Sequence, residues 1–328
     1  MKKKLLIGVD EAGYGPSMGP LTICATAWRV PGSFDACEMT SLLEPEFLAK
    51  PIKSNSTHVP IGDSKKIHRE ALAVEGLILG ARFLCYEIDG TIHSEWDSNI
   101  AAFARQDWER LASIPWYAKR QSTYFATLDK AIVDQCDYFH AASAKLRTHS
   151  IALTGIRMRV IDEVEFNRQV DRTGNKSTLL SEASLALVKQ VISEYAREGE
   201  DIEVYCDKHG GRNRYQAILT FMFDEEWFTS EVESRACSRY SAKWDGHSIQ
   251  IQFKVDGDSI FPSAAASIIA KWTREELMER LNGFWETKVA GAIAPSAGYY
   301  VDAMRFAAQI ADTASKLGLD RNLWWRKK

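Results

Sequence analysis

Acidic side chains follow three segments of this 328-residue chain, each at the point where a strand is predicted to end. Asp10 and Glu11 follow the first segment, Asp207 follows a later one, and Asp258 follows a third. Open α/β sheets bind ligands in the crevice at the carboxyl ends of their strands. We therefore expect these four carboxylates to converge at one edge of a sheet.

A cluster of like charges is unfavourable unless a cation neutralises it. Hard oxygen ligands favour Mg²⁺ or Mn²⁺ over zinc. Two such ions, about 3.5–4 Å apart, clamp the attacking and leaving oxygens of a phosphodiester. The residue types therefore indicate metal-dependent phosphoryl transfer.

A structural role for the same carboxylates is open at this point. An aspartate at the end of a strand commonly forms a turn or caps a helix. Consecutive strand residues also point to opposite faces, so Asp10 and Glu11 share an ion only if the strand end twists.

The elements that must position these residues form an α/β pattern. Predicted strands cover 4–9, 21–28, 82–88, 156–161, 202–206, 227–234 and 248–255. Predicted helices cover much of 94–145, with Pro115 ending one helix near Ser113, and the segments 178–197 and 264–281. Hairpins over 5–28 and 227–255 make the predicted sheet mixed rather than parallel.

Three segments resemble motifs of ribonuclease HII, in the order in which that family carries them. They read DEAGYGPSMGP at 10–20, DSKK at 63–66 and GDSIFP at 257–262, and the last continues as AASIIAKWTR at 265–274. The first motif departs from the family at Tyr14, where the family has arginine between two glycines.

The resemblance implies a ribonuclease H-like fold, which is a five-stranded mixed sheet flanked by helices. It implies that Asp10, Glu11, Asp207 and Asp258 are the catalytic and metal-binding residues, with Mg²⁺ or Mn²⁺ as cofactor. The match at Asp207 rests on its strand-end position, because the residues after it differ from the family's. The implied partner is an RNA–DNA hybrid or duplex DNA that contains ribonucleotides. The implied reaction is endonucleolytic hydrolysis that leaves 5′-phosphate and 3′-hydroxyl ends.

The same resemblance implies residues that contact substrate. They are Gly13, Tyr14, Gly15, Ser64, Lys65, Lys66, Ser267, Lys271 and Tyr299. Tyr14 either stacks on a base or sugar or fills the groove, and Tyr299 is preferred only weakly over Tyr300. Arg274 shares the predicted polar helix face with Ser267 and Lys271, and that face is suited to a phosphate backbone.

The resemblance leaves part of the chain unexplained. We expect one ribonuclease H-like domain over 1–328, with a mainly helical insertion at about 92–150 and a helical extension at about 283–328. The segment 324–328 is expected either to fray or to touch nucleic acid or a partner. His209 is expected to be a hydrogen-bonded structural histidine rather than a proton shuttle.

Composition limits the function classes. Lys and Arg number 41 against 44 Asp and Glu, which excludes a globally basic nucleic-acid binder but not a local basic face. No apolar run is long enough to span a bilayer, and the six cysteines are scattered. We expect a cytoplasmic protein that does not bind membranes, and the sequence names no protein partner.

Two alternatives remain open. The main one is a nucleic-acid-binding homologue with lost or altered nuclease activity, which Tyr14 and the insertion motivate. The other keeps the fold and the metals but acts on DNA junctions or a different phosphodiester.

Overall fold

The computed structural model describes residues 2–50, 57–62, 73–90, 96–118 and 136–327. The predicted substrate-binding residues Ser64, Lys65 and Lys66 lie outside these residues, so their role stays a prediction.

Within the residues that the structure describes, seven strands form one mixed sheet. They are β1 (Lys3–Ala12), β2 (Leu21–Pro31), β3 (Ala152–Ile161), β4 (Asp201–Asp207), β5 (Thr229–Glu233), β6 (Cys237–Trp244) and β7 (His247–Lys254). Their order across the sheet is β3-β2-β1-β4-β7-β6-β5. Strands β1, β2 and β3 form an antiparallel meander, whereas β4 runs parallel to β1 and β7 runs parallel to β4.

The predicted fold class is confirmed, with one correction. The strands β3-β2-β1-β4-β7 form the five-stranded mixed sheet that the resemblance implies. The sheet has seven strands because β6 and β5 continue it beyond β7 as antiparallel strands.

Ten α-helices lie within the described residues. They are α1 (Met39–Leu43), α2 (Ala73–Asp89), α3 (Trp96–Phe103), α4 (Arg105–Ser113), α5 (Cys136–Thr148), α6 (Glu163–Thr173), α7 (Lys176–Tyr195), α8 (Gln216–Met222), α9 (Phe261–Lys288) and α10 (Tyr300–Lys316). Helix α4 ends at Ser113, as Pro115 predicts. Within these described residues, no helix combines the length and apolar character that a membrane crossing needs.

Two apolar clusters cover the two faces of the sheet. Leu5, Ile7 and Val9 of β1 pack in the cluster that includes α7, whereas Leu6 packs in the cluster that includes α9. A strand that is buried on both faces reads as a continuous apolar run, which is how β1 is recognised in the sequence. The alternation also assigns each later β1 side chain to one face of the sheet.

Two sequence predictions about elements are wrong. The segment 82–88 is part of helix α2 rather than a strand, and its residues 77–85 are all buried. Periodicity cannot separate a fully buried helix from a buried strand, because neither shows a polar face. Strand β6 was missed because serine, arginine and lysine interrupt its apolar residues, although Ser238 and Tyr240 are fully buried.

Candidate active site

The ends of β1 and β4 bring Asp10 and Asp207 side by side. Val9 is the last β1 residue in register with β4, opposite Cys206, so Asp10 and Asp207 are the next residues on two adjacent parallel strands. Val9 and Cys206 face the cluster that includes α7. Because consecutive strand residues point to opposite faces, Asp10 and Asp207 both lie on the α9 face of the sheet. Glu11 follows on the other face.

The turn after β7 carries Asp258 towards Asp207. The Gly257 N–H donates to Asp207 Oδ1 at 3.3 Å, and the Lys208 N–H donates to the same oxygen at 2.9 Å. A Cβ on Gly257 would lie 2.9 Å from both Cα and N of Asp207, which is closer than side chains tolerate. Glycine therefore lets the 3₁₀ turn Gly257–Ser259 lie against β4 with Asp258 next in the chain.

Helix α9 lies directly on the sheet above these carboxylates. A Cβ on Gly8 of β1 would lie 2.0 Å from the carbonyl carbon of Pro262, so only glycine admits the start of this helix. The Thr26 hydroxyl donates to Pro262 O at 2.8 Å, and the Ser263 hydroxyl donates to Tyr205 O at 2.9 Å. These contacts fix the start of α9 over β1, β2 and β4.

Ser267 and Lys271 lie one and two helical turns beyond Ser263 in α9, and both lie near the carboxylates. Lys271 is the strongest positive influence on Asp10 and also acts on Glu11. Ser267 Oγ is fully buried and lies beside Asp10, although it makes no hydrogen bond of ordinary geometry. The structure thus brings the predicted residues Ser267 and Lys271 to the predicted carboxylates.

Burial and mutual repulsion raise the pKa values of Asp10, Glu11 and Asp207. Burial raises the pKa of Asp10 to about 6, with Lys271 opposing the shift. The pKa of Glu11 is raised well above its usual range by burial and then by Asp10 and Asp207. Burial also raises the pKa of Asp207, against the hydrogen bonds from Lys208 and Gly257. The negative charge of the cluster is therefore only partly compensated by protein groups.

The donor chemistry of the cluster fits a hard divalent cation. All four side chains offer carboxylate oxygens, the ligands that Mg²⁺ and Mn²⁺ prefer. Burial is the largest cause of the raised pKa values of Asp10, Glu11 and Asp207, and neighbouring carboxylates add to these shifts. Within the described part of the chain, however, no three Asp, Glu, His or Cys side chains are spaced to hold an ion directly. The fit is one of chemistry rather than of a preformed cage.

The glycine-rich loop after β1 borders the carboxylates. Gly13 and Gly19 have φ values of +86° and +82°, a region that disfavours side chains. Gly15 is exposed, and a Cβ there would meet nothing within 4 Å. The backbone near Gly15 is thus open to a ligand.

Tyr14, the departure from the family motif, lies half-buried across the loop. A Cβ on Gly210 would come within 2.6 Å of the Tyr14 hydroxyl, so glycine at 210 makes room for it. The ring packs partly against the core cluster of α7. Burial raises the pKa of Tyr14, and Glu11 adds to this shift. This position favours the groove-filling role over stacking.

Tyr299 adjoins the same loop. The Gly298 carbonyl accepts from the N–H groups of Ser17 at 2.8 Å and Met18 at 3.2 Å. Tyr299 is 60% exposed and Tyr300 is 48% exposed. Both residues are partly exposed, so exposure does not decide between them.

Arg274 and His209 are buried and contact other protein groups rather than solvent. Arg274 is buried and donates to Ala297 O at 2.9 Å, so the expectation that it faces a phosphate backbone is wrong. A Cβ on Gly13 would lie 2.5 Å from Arg274 Nε, which places this side chain against the glycine-rich loop. His209 is 1% exposed, its Nδ1 lies 3.1 Å from Ser181 Oγ, and burial lowers its pKa to about 3. His209 is therefore a buried, hydrogen-bonded histidine, as the sequence analysis expected.

Sequence reasoning missed Glu163 and Arg326, which hydrogen-bond to the backbone of the glycine-rich loop. Glu163 Oε1 accepts from the Gly19 N–H at 3.0 Å, and the Arg326 guanidinium donates to carbonyls of the loop. Arg326 is 1% exposed and Trp324 is 5% exposed, so the expected fraying at these residues is wrong. The paired tryptophans before Arg326 were the available signal, because large aromatic side chains near a chain end commonly dock.

Comparison with known proteins finds likeness at the level of the fold. No protein-family model matches the chain, and no curated protein matches it. One similar structure is the RNase HII of the PCNA:RNase HII complex from Archaeoglobus fulgidus, with 14% identity, 99% of this chain and 94% of that chain covered, and a TM-score of 0.41. Another is ribonuclease H2 from Pyrococcus horikoshii OT3, with 16% identity, coverages of 98% and 92%, and a TM-score of 0.40.

A third similar structure is Bst-RNase HIII in complex with Mn²⁺, with 16% identity and a TM-score of 0.41. The alignment covers 99% of this chain and 66% of that chain.

Proposed function

We propose that this chain is a divalent-metal-dependent endoribonuclease that hydrolyses RNA in RNA–DNA hybrids or ribonucleotides embedded in duplex DNA. Asp10, Glu11, Asp207 and Asp258 are its catalytic and metal-binding residues in this proposal. The observation that carries it is the meeting of Asp10 and Asp207 at two adjacent strand ends, with Asp258 in the turn that packs on Asp207. The motifs at 10–20 and 257–274 support the choice of reaction.

The chain's own residues supply orientation and charge at this site. Bound Mg²⁺ or Mn²⁺ would supply Lewis-acid activation of water and stabilisation of the leaving 3′-oxygen. Lys271 places a positive charge beside Asp10 and Glu11, where a scissile phosphate would lie. Products with 5′-phosphate and 3′-hydroxyl ends follow from this reaction.

Recognition of RNA in this proposal uses the backbone of the glycine-rich loop. The 2′-hydroxyl is the group that distinguishes RNA from DNA. The exposed Gly15, where a Cβ would meet nothing within 4 Å, allows close approach of the backbone to a ribose, and Gly13 is a proposed contact from the motif alone. Tyr299 adjoins the same loop. Tyr14, Ser64, Lys65, Lys66, Ser267 and Lys271 complete the proposed substrate contacts.

The test is a labelled DNA duplex that carries one ribonucleotide, incubated with Mg²⁺ or Mn²⁺, beside a continuous RNA–DNA hybrid. The expected result is cleavage at the ribonucleotide or in the RNA strand that is lost in Asp10→Asn. Equal cleavage by Asp10→Asn would point to a contaminating nuclease and contradict the site. An intact duplex and an intact hybrid in both metals would contradict the function.

A second candidate is a nucleic-acid-binding homologue that has lost or altered its nuclease activity. Tyr14 favours it, because its hydroxyl lies against Gly210 and its ring packs partly against the core at a position where the family has an arginine. This candidate predicts duplex binding without hydrolysis in the same assay. It also predicts that Tyr14→Arg restores some cleavage, and cleavage by the unchanged protein would exclude it.

A further inference from the structure

The buried side chain of Arg326 joins a distant part of the chain to the glycine-rich loop. Its Nη1 and Nη2 both donate to Gly13 O at 2.7 Å. Nη2 also donates to Tyr14 O at 3.1 Å, and Nη1 lies 3.3 Å from Gly19 O. The Arg326 N–H donates to Ser17 O at 2.8 Å. One residue thus holds both ends and the middle of the loop.

The surroundings of Arg326 combine an aromatic ring with an acidic side chain. Its guanidinium carbon lies 4.1 Å from the centre of the Phe166 ring. Burial and the neighbouring Arg274 lower the pKa of Arg326 to about 9, and Glu163 opposes this shift. A buried arginine is costly unless its donors are used. Here three backbone carbonyls of the loop accept from the terminal nitrogens of Arg326, although its buried Nε makes no hydrogen bond.

Helix α6 fixes the segment that carries Arg326. Asn167 Nδ2 donates to Trp325 O at 2.8 Å, and the Lys327 N–H donates to Asn167 Oδ1 at 2.7 Å. These two hydrogen bonds fix the backbone on either side of Arg326, and the fixed backbone directs the guanidinium into the loop.

A second anchor acts on the same loop from the predicted insertion. Tyr117 donates its hydroxyl to the Glu163 carboxylate at 3.1 Å, and Glu163 accepts from the Gly19 N–H at 3.0 Å. Both side chains are buried. The loop is thus held through its carbonyls by Arg326 and through an amide by Glu163.

We propose that Arg326 is a positioning residue, which fixes the glycine-rich loop in the conformation that receives the ribonucleotide. This inference rests on the proposed function, because the loop's backbone at Gly13 to Gly15 is the proposed contact to the ribose. Arg326 itself lies beneath the loop and touches no substrate. Its loss frees the carbonyls of Gly13, Tyr14 and Gly19 together.

The first measurement is hydrogen exchange by mass spectrometry on the full chain, comparing Arg326→Ala and Arg326→Lys with the unchanged protein. Arg321→Ala is the matched control, because Arg321 is an exposed arginine of the same segment that stacks on Trp325. Arg326→Ala is expected to speed exchange in residues 13–20 by about tenfold or more, since charge-assisted hydrogen bonds to the loop are lost. Exchange in β1 and β4 is expected to stay unchanged. The exchange rate of residues 13–20 in Arg326→Lys is expected to lie between those of Arg326→Ala and the unchanged protein.

The second measurement is cleavage of the ribonucleotide-containing duplex. Arg326→Ala is expected to lower kcat/KM by about tenfold or more, and added guanidinium ion at millimolar concentration restores part of the loss. Arg321→Ala keeps its rate and shows no rescue. Unchanged exchange in the loop, an equal rise in exchange across the whole sheet, or normal cleavage by Arg326→Ala would each overturn the proposal.

The two proposals fail in different ways. If the unchanged protein cleaves no substrate, the proposed function is wrong, and with it the assignment of Arg326 to a catalytic site. The exchange pattern of residues 13–20 still decides in that case whether Arg326 holds the loop. If the unchanged protein cleaves and Arg326→Ala cleaves equally well, only the positioning role is wrong.

Discussion

Gly257 controls how closely the turn carrying Asp258 approaches Asp207. Its backbone N–H reaches the Asp207 carboxylate, and any Cβ would press on the Asp207 backbone. A side chain at this position must therefore push the turn away from β4. The separation of two proposed catalytic carboxylates depends on the absence of one methyl group.

Gly257→Ala is expected to lower the free energy of unfolding by about 1–3 kcal/mol, as overpacking does, and to slow cleavage. The control is Gly283→Ala in α9, where a Cβ would meet nothing within 4 Å. That change removes a helix-interior glycine and is expected to be neutral or to stabilise by up to about 1 kcal/mol. Equal stability and activity in both variants, measured by urea unfolding and cleavage rate, would contradict this account of Gly257.

His209 gives a pH-dependent prediction, because burial lowers its pKa to about 3. An unfolded histidine has a pKa of about 6.5. Below that pH the unfolded chain binds a proton that the folded chain does not, so this histidine's contribution to stability falls by about 1.4 kcal/mol per pH unit as the pH decreases.

The measurement compares the free energies of unfolding of the unchanged protein and His209→Gln at several pH values. The difference between them should shift by about 2 kcal/mol between pH 6.5 and pH 5 in favour of the variant. His149→Gln serves as the control for loss of a histidine elsewhere. A difference that does not vary with pH would show that His209 becomes protonated in the folded protein.

At the residue scale, sequence patterns could predict the carboxylates but not what holds the loop. Asp10, Asp207 and Asp258 each follow a recognisable strand, and strand ends share an edge. Arg326 lies far from the loop in sequence, and no spacing rule joins them. Its role depends on where α6 and the docked tryptophans place it, which only the packed chain shows.

Helix α9 is the element that connects the sheet to the site. It begins over Gly8, continues past Ser267 and Lys271, and passes under the glycine-rich loop at Arg274. A shift of its first turn would therefore move the groups beside Asp10. The close approach of the Pro262 backbone to Gly8 sets the distance between this helix and β1.

Gly8→Ala is expected to destabilise the protein by about 3 kcal/mol or more, because a Cβ would lie 2.0 Å from the Pro262 backbone, which cannot yield as a flexible side chain would. Activity is expected to fall even at temperatures where the variant is folded, since Ser267 and Lys271 move with the helix. Thermal unfolding and a cleavage assay check the two effects separately. A variant with native stability would show that α9 does not depend on this contact.

The elements that sequence reasoning predicted well are those with one polar face or a clear boundary. Helix α7, strand β4 and the end of α4 at Ser113 all have such signals. The segment 82–88 had none, because α2 is buried on every side over 77–85. Strand β6 lies between an exposed edge strand and β7, where its polar residues hid the alternation.

At the scale of the whole molecule, distant parts of the chain converge on one edge of the sheet. The central strands contribute carboxylates, α9 contributes Lys271, and residues from the predicted insertion and extension hold the loop through Tyr117 and Arg326. The division into a domain, an insertion and an extension remains a prediction. The contacts of Tyr117 and Arg326 give those regions a structural link to the proposed site.

The central claim is that the strand-end carboxylates perform the chemistry, and a pair of neighbouring variants tests it most directly. Asp258→Asn and Asp256→Asn remove the same charge on either side of Gly257, and the exposed Asp256 has a φ of 55°, which asparagine tolerates. The measurement is the cleavage rate of each on the duplex with one ribonucleotide, with the folded state checked by circular dichroism.

We predict that Asp258→Asn loses about a hundredfold or more of the rate, whereas Asp256→Asn stays within a few-fold of the unchanged protein. Similar rates for the two variants, or a larger loss in Asp256→Asn, would contradict the assignment of Asp258 to the active site.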